Sequence, residues 1–291
     1  MPMVDEKKTA ADIYVFDVDP ESDTAAANVL RLVGREKDVL EIGAGPGSIA
    51  RPLVEKNGCR VTALEVDPKC LPILRSFCVD VVQGDLNTGD WDRALEGRSF
   101  DVIVIADVLE HLIDPWQTLR IAKKLLRPGG AVVSSIPNAS HAAMIASILD
   151  DNVDYRDWGL LDRTHIRFFG AKNVQSLFRQ ADLKIVGALY VVRTPEMTEF
   201  VETWRRIPGQ LREALVLPDF SQVYQTVVSA VDVASILPEF DLLKNPPAKI
   251  KLPVSVAVIG SIPYGARIRL AVGRLVGKRG RSILKKALGI R

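Results

Sequence analysis

The sequence predicts a doubly wound, mostly parallel α/β sheet of seven strands, and three observations point to it. Short β-branched runs bounded by Gly, Pro or Asp recur every twenty to thirty residues. Stretches with helix start and stop signals lie between them. A glycine-rich turn, "GAGPG" at 43–47, directly follows the first run. Strand, helix and strand in this alternation bury a parallel sheet between two helical layers.

In chain order, "DVLEI" (38–42) is the first strand and Ser48 to Asn57 the first helix, stopped by Gly58. "RVTAL" (60–64) is the second strand, Pro68 to Phe77 a helix, and "DVVQ" (80–83) the third strand. "FDVIVIA" (100–106) follows, then a helix from Asp114 to Leu126 with Asp114 as cap, Pro115 at the first helical position and "RPGG" as its stop. "GAVVSSI" (130–136) is the fifth strand. The rhythm then breaks: residues 137–171 mix helical spacing with aromatics and are read as a lid segment. A helix (Lys172 to Ala181) and a strand (Leu183 to Val192) follow. "VYQTVVSAV" (223–231) is read as a returning edge strand, which makes 193–222 an insertion. The main domain is therefore 1–231, with 232–291 a Pro-punctuated, then basic, C-terminal extension.

With 291 residues and 47% hydrophobic content the chain can bury a full α/β core, which excludes a disordered protein. Cys59, Cys70 and Cys78 form no C-x-x-C pair and suggest no disulfide framework. The polar, acidic start and the lack of an apolar run near the roughly 20 residues of a membrane span predict a cytoplasmic protein. Charge is segregated: residues 1–241 hold 26 basic and 36 acidic side chains, while the last fifty hold twelve basic and no acidic ones. A basic stretch with an intermittent apolar face, residues 264–291, suits peripheral contact with anionic lipid at the inner membrane surface or a solvated terminal helix. No aromatic residue follows Tyr264 to stack on bases, so no nucleic acid partner is expected.

In an open α/β sheet, ligands bind beyond the carboxyl ends of the strands, so the turn of Gly43, Ala44, Gly45 and Gly47 is the natural cofactor contact. Its spacing is G-x-G-x-G, neither the G-x-G-x-x-G of a dinucleotide site nor a phosphate loop. Glu41 stands two residues before the first glycine, where it would repel a pyrophosphate, and Glu65 ends the second strand, where a carboxylate can accept from ribose hydroxyls. A negative turn suits a ligand with ammonium and sulfonium groups, such as S-adenosyl-L-methionine. The ordered motifs "VLEIGAGPG", "VTALEVDP", "QGD", "FDVIVIADVLEHLIDP" and "LLRPGGAVVSSIPN" resemble those of class I S-adenosylmethionine-dependent methyltransferases over about residues 12–192. That resemblance implies their Rossmann-like fold, with Gly43 to Gly47 along the methionine moiety, Glu65 holding the ribose, Val66 also in contact with the cofactor, Asp85 and Leu86 framing the adenine, and Ala106 and Asp107 flanking the donor. Through "DWGLLDRTHIRFF" and "YQTVV" the chain is similar to a subgroup that includes ubiquinone-pathway and polysaccharide-associated methyltransferases.

Methyl transfer is an in-line displacement, so the chain must place a nucleophile and, for a hydroxyl, remove its proton. His165, in the lid, is the candidate base, against the alternative of a histidine bonded to Asp162 or a backbone carbonyl. Asp162 and Arg163 either orient substrate or pair with each other. His111 and His141 are read as structural, and no spacing suggests a metal. The leading expectation is O-methylation of a sugar hydroxyl in glycan or polysaccharide biosynthesis. The alternatives are a quinone or other small metabolite as acceptor, or a cofactor-binding module without catalysis. Oligomeric state is left open.

Overall fold

Seven segments rich in β-branched residues form one sheet in the order β3-β2-β1-β4-β5-β7-β6. The computed structural model describes residues 14–88 and 90–250. The strands are β1 (Asp38–Ile42), β2 (Arg60–Glu65), β3 (Asp80–Gln83), β4 (Phe100–Ala106), β5 (Leu126–Pro137), β6 (Leu183–Val192) and β7 (Val223–Asp232). β1 to β5 pair in parallel, whereas β7 runs antiparallel between β5 and β6. The expectation that β7 is the edge strand is therefore corrected: β6 is the edge. Antiparallel pairing on both sides satisfies the β7 backbone, and the 193–222 connection is long enough to bring it back inside β6.

Among the described residues the helices are α1 (Ala25–Val33), α2 (Ala50–Glu55), α3 (Leu71–Leu74), α4 (Pro115–Lys124), α5 (Ala142–Leu149), α6 (Ala171–Arg179), α7 (Val201–Arg206) and α8 (Gly209–Leu215). α1 was not anticipated, although its signals stand in the sequence: Thr24 accepts a hydrogen bond from the Ala27 N–H and Gly34 closes the helix at φ 78°. α3 is much shorter than the expected 68–77, because the Ser76 hydroxyl and N–H both turn back to the Ile73 carbonyl and tighten the chain out of the α-helix. α4 begins as expected, with Asp114 accepting from the Gln117 N–H at 2.8 Å. Two large apolar clusters cover the sheet, one centred on Leu40, Ile103 and Phe178 and one on Val39, Leu53 and Val104. The insertion supplies α7 and α8, which pack on α5 through Trp204 and Ile207. No helix among the described residues is long and apolar enough to cross a membrane.

Candidate active site

A cleft of about 690 Å³ opens at the carboxyl ends of β1, β2 and β4, lined by the turn after β1, the end of β2, the segment after β4 and residues 158–165. The glycine turn is shaped by close packing on its two flanks. Gly43 has φ 72°, and a Cβ there would lie 2.6 Å from Val108 Cγ2; at Gly47, φ 89°, it would lie 2.5 Å from Phe77 Cζ. Only glycine lets the backbone run this close to both neighbours.

Two buried carboxyls face the turn. Glu65 Oε2 accepts the Gly45 N–H at 2.7 Å, while Oε1 accepts those of Val66 and Asp67 at 2.9 and 2.8 Å. With about four lone-pair positions per carboxylate, capacity remains for a ligand hydroxyl. Glu41 is 3% exposed, and its Oε2 is buried without a partner. Burial, reinforced by the Glu65 charge, pushes the Glu41 carboxyl up to about 8.

The opposite wall belongs to residues 158–165 and to chain segments far apart in sequence. His165 turns Nδ1 toward the Leu160 carbonyl at 3.2 Å and leaves Nε2 3.9 Å from Glu110 Oε1, beyond hydrogen-bond reach. Burial and then the neighbouring His111, its ring centroid 4.8 Å away, hold the His165 imidazole below its ordinary value. It is therefore neutral at pH 7, with an available nitrogen lone pair. Glu110 is buried with both oxygens unpartnered, and burial followed by the Asp107 charge keeps its carboxyl well above the ordinary range. Asp162 accepts the Tyr14 hydroxyl at 3.3 Å and both the N–H and hydroxyl of Thr164 at 2.8 and 2.6 Å. Burial would raise Asp162, but the Thr164 bonds and the two histidines outweigh it and hold the carboxyl below its ordinary value.

Of the residues singled out from sequence, Glu41, Gly43, Ala44, Gly45, Glu65, Val66, Ala106, Asp107, Asp162 and His165 all line this cleft. Asp107 sits at φ 53°, with its carboxyl accepting from Gln225 at 2.7 Å. Gly47 packs under Phe77 rather than on the cleft wall. Asp85 and Leu86 lie outside the lining: Asp85 is exposed and accepts the Asn87 N–H, and Leu86 packs against the core. Arg163 pairs with Asp157 at 2.7 Å rather than with Asp162, and also lies outside the lining. His141 is buried and bonded through Nε2 to the Arg193 carbonyl, and burial lowers it to about 4. His111 is not merely structural in position, since it lines the cleft beside His165. Sequence reasoning missed Tyr14, Phe16, Glu110, Trp158 and Tyr224, which reach the cleft from four separate segments. Among the described residues, Glu110, His111 and His165 form the one trio of metal-ligand types, with one donor atom from each lying within 4.8 Å of the others.

Residues 21–188, more than half of the chain, match a family described as "Methyltransferase domain". The chain belongs to the class I S-adenosylmethionine-dependent methyltransferases. It is 30% identical over 164 residues to the ubiquinone biosynthesis O-methyltransferase of Cereibacter sphaeroides, covering 54% of this chain and 64% of that relative. To the enzyme of the same name from Azoarcus sp. it is 26% identical over 157 residues, covering 52% and 66%. The chain thus spans less than two thirds of the length of these relatives. A solved structure from Bacillus halodurans, provisionally named a methyltransferase, superposes with a TM-score of 0.51 at 14% identity, covering 72% of this chain and 99% of that one. This likeness shows the shared fold. S-adenosylmethionine is the cofactor of the family, and the methyltransferase cleft fits it: the unpartnered Glu41 oxygen suits a cationic group, and Glu65 retains acceptor capacity for ribose.

Proposed function

We propose that this methyltransferase O-methylates a small, uncharged acceptor bearing an aromatic hydroxyl, of the quinone-precursor kind. The observation that carries the reading is the composition of the cleft. Among the described residues its wall holds five carboxyl groups (Glu41, Glu65, Asp107, Glu110 and Asp162) and no Lys or Arg. A phosphate or carboxylate close to the reacting oxygen would meet these carboxyl groups, with His111 and His165 the only basic side chains of the lining among the described residues. Tyr14, Phe16, Trp158 and Tyr224 offer flat apolar faces suited to a ring. The similarity to ubiquinone biosynthesis O-methyltransferases favours this acceptor over the sugar hydroxyl that the sequence reading put first. A cytoplasmic location, with the basic C-terminal stretch meeting the membrane from which a lipophilic acceptor would come, belongs to the same proposal.

Bound S-adenosylmethionine supplies an electrophilic methyl carbon to the acceptor oxygen. The chain's own part is positional and protolytic. His165, neutral and with Nε2 open to the cleft, accepts the phenolic proton as the oxygen is methylated, and the proton then leaves to solvent. Trp158 to Leu160 line the cleft on the side of His165, with Leu160 buried and Trp158 exposed at the rim.

The test is methyl transfer, read as S-adenosylhomocysteine release, with neutral catechols and phenols set against phosphorylated and nucleotide-linked sugars. Turnover confined to the sugars overturns the reading. His165→Ala is expected to lower the rate by about 10²-fold with cofactor affinity kept. Dialysis against a chelator should leave wild-type turnover intact, whereas its loss, restored by a divalent cation, would reassign His165 from base to ligand.

A further inference from the structure

The insertion between β6 and β7 carries one carboxyl on which three segments converge. Glu199, between the turn Pro195–Met197 and α7, accepts the Leu160 N–H through Oε1 at 2.8 Å. The Tyr224 hydroxyl of β7 reaches both of its oxygens, at 3.1 and 3.0 Å. Gly159, at φ 92°, permits this approach, because a Cβ there would collide with the Glu199 carboxyl. Next to it, Phe200 packs in a buried cluster with Met144, Leu160 and Leu161, so Leu160 is held by its N–H and by its side chain together. Its remaining backbone group, the carbonyl, is the partner of His165 Nδ1.

We propose that Glu199 is the positioning residue for His165: by fixing Leu160 it aims the carbonyl that keeps the imidazole proton on Nδ1 and leaves Nε2 bare toward the cleft. The physical basis is tautomer selection. In a neutral imidazole the proton sits on the nitrogen that finds an acceptor, and the other nitrogen is then the base. The Leu160 carbonyl is the acceptor that Nδ1 meets, and the Glu110 carboxyl near Nε2 is too distant to compete by hydrogen bonding. The direction of one peptide carbonyl therefore decides which nitrogen faces the acceptor. That direction is set from the insertion, an element outside the strand-and-helix alternation of the fold. The proposal rests on the assignment of His165 as base.

Full-length protein labelled with ¹⁵N-histidine tests it, since the chain has three histidines. Long-range proton–nitrogen spectra report the tautomer of each ring, and His165→Gln assigns the signals. The wild type and Glu199→Gln, which keeps an Oε1 acceptor for Leu160, are expected to show His165 dominantly as the Nδ1–H form. Glu199→Ala is expected to lose that dominance while still binding S-adenosylhomocysteine. A wild type in the Nε2–H form, or a Glu199→Ala protein that binds S-adenosylhomocysteine and keeps Nδ1–H dominant, overturns the proposal. Should Glu199→Ala fail to bind, Glu199→Asp decides, because it withdraws the carboxylate by one methylene: loss of Nδ1–H dominance supports the proposal and retention overturns it. The spectra need no acceptor, so a wrong acceptor class leaves the tautomer result unchanged.

Discussion

Glu41 carries a buried carboxyl oxygen with no hydrogen-bond partner, beneath the glycine turn of the cleft. Its carboxyl titrates near 8 in the folded chain and near the ordinary 4.5 when unfolded. A folded value raised in this way contributes stability that is complete below about 4.5 and is lost as pH rises through 8. Glu41→Gln should therefore make the ligand-free protein more stable than wild type at pH 8, by on the order of a few kcal/mol, with little difference near pH 4.5. Thermal unfolding across that range checks it. Cofactor binding should run the opposite way. A positive group favours the ionised form, so binding releases a proton and wild-type affinity rises with pH up to about 8. Calorimetry in buffers of different ionisation enthalpy reads that proton directly, and equal heats in all buffers would remove Glu41 from the cation site. His165 completes the residue scale. If it is the base, turnover should fall on the acidic side as its imidazole protonates, with the midpoint below the ordinary value of about 6.5. His165→Ala should lose that acidic limb.

The turn between β1 and α2 makes the element-scale demand visible. Alanine at Gly43 would have to adopt φ 72° and would press its methyl against Val108, which leads into the short turn Leu109–His111. Holding an L-residue in that region costs roughly 1–2 kcal/mol, before any overlap is relieved. Gly43→Ala should lower both the unfolding temperature and S-adenosylhomocysteine affinity, the latter by about tenfold or more, since 1.4 kcal/mol corresponds to a factor of ten. An affinity equal to wild type would show that the turn tolerates the shift. Elements were legible in the sequence where one local signal dominates. The strands β1 to β5 read as β-branched runs, and α4 as a cap, a proline and a stop. α3 was overestimated because periodicity does not reveal that Ser76 bonds back to Ile73. α1 is bounded by local signals too, Thr24 and Gly34, but carries no β-branched run or glycine turn beside it.

At the scale of the whole molecule, the segregation of charge points beyond the described residues. Residues 264–291 lie outside them and are characterised by composition alone, with nine of the twelve basic residues that follow Asp241. Each such charge near an anionic surface contributes about 1 kcal/mol, and salt screens it. The full chain is expected to co-sediment with anionic vesicles at low salt and to stay in solution with neutral ones, while a chain ending at Pro263 stays in solution with both. Equal behaviour of the two chains would leave the stretch without a membrane role. Sequence alone determined the sheet's parallel half, the glycine turn and the two acids beside it, and the resemblance of its ordered motifs pointed to the family and its cofactor. Each of those signals is short-range: a β-branched run, a spacing of glycines, a carboxyl at a strand end. Tertiary structure decided the rest. It placed β7 inside β6, brought Glu110 and Tyr14 to the cleft, paired Arg163 with Asp157, and joined Glu199, Leu160 and His165 from separate segments. Contacts between residues distant in the chain leave no periodic trace in sequence, because the packing of the sheet and its insertion alone fixes which side chains meet.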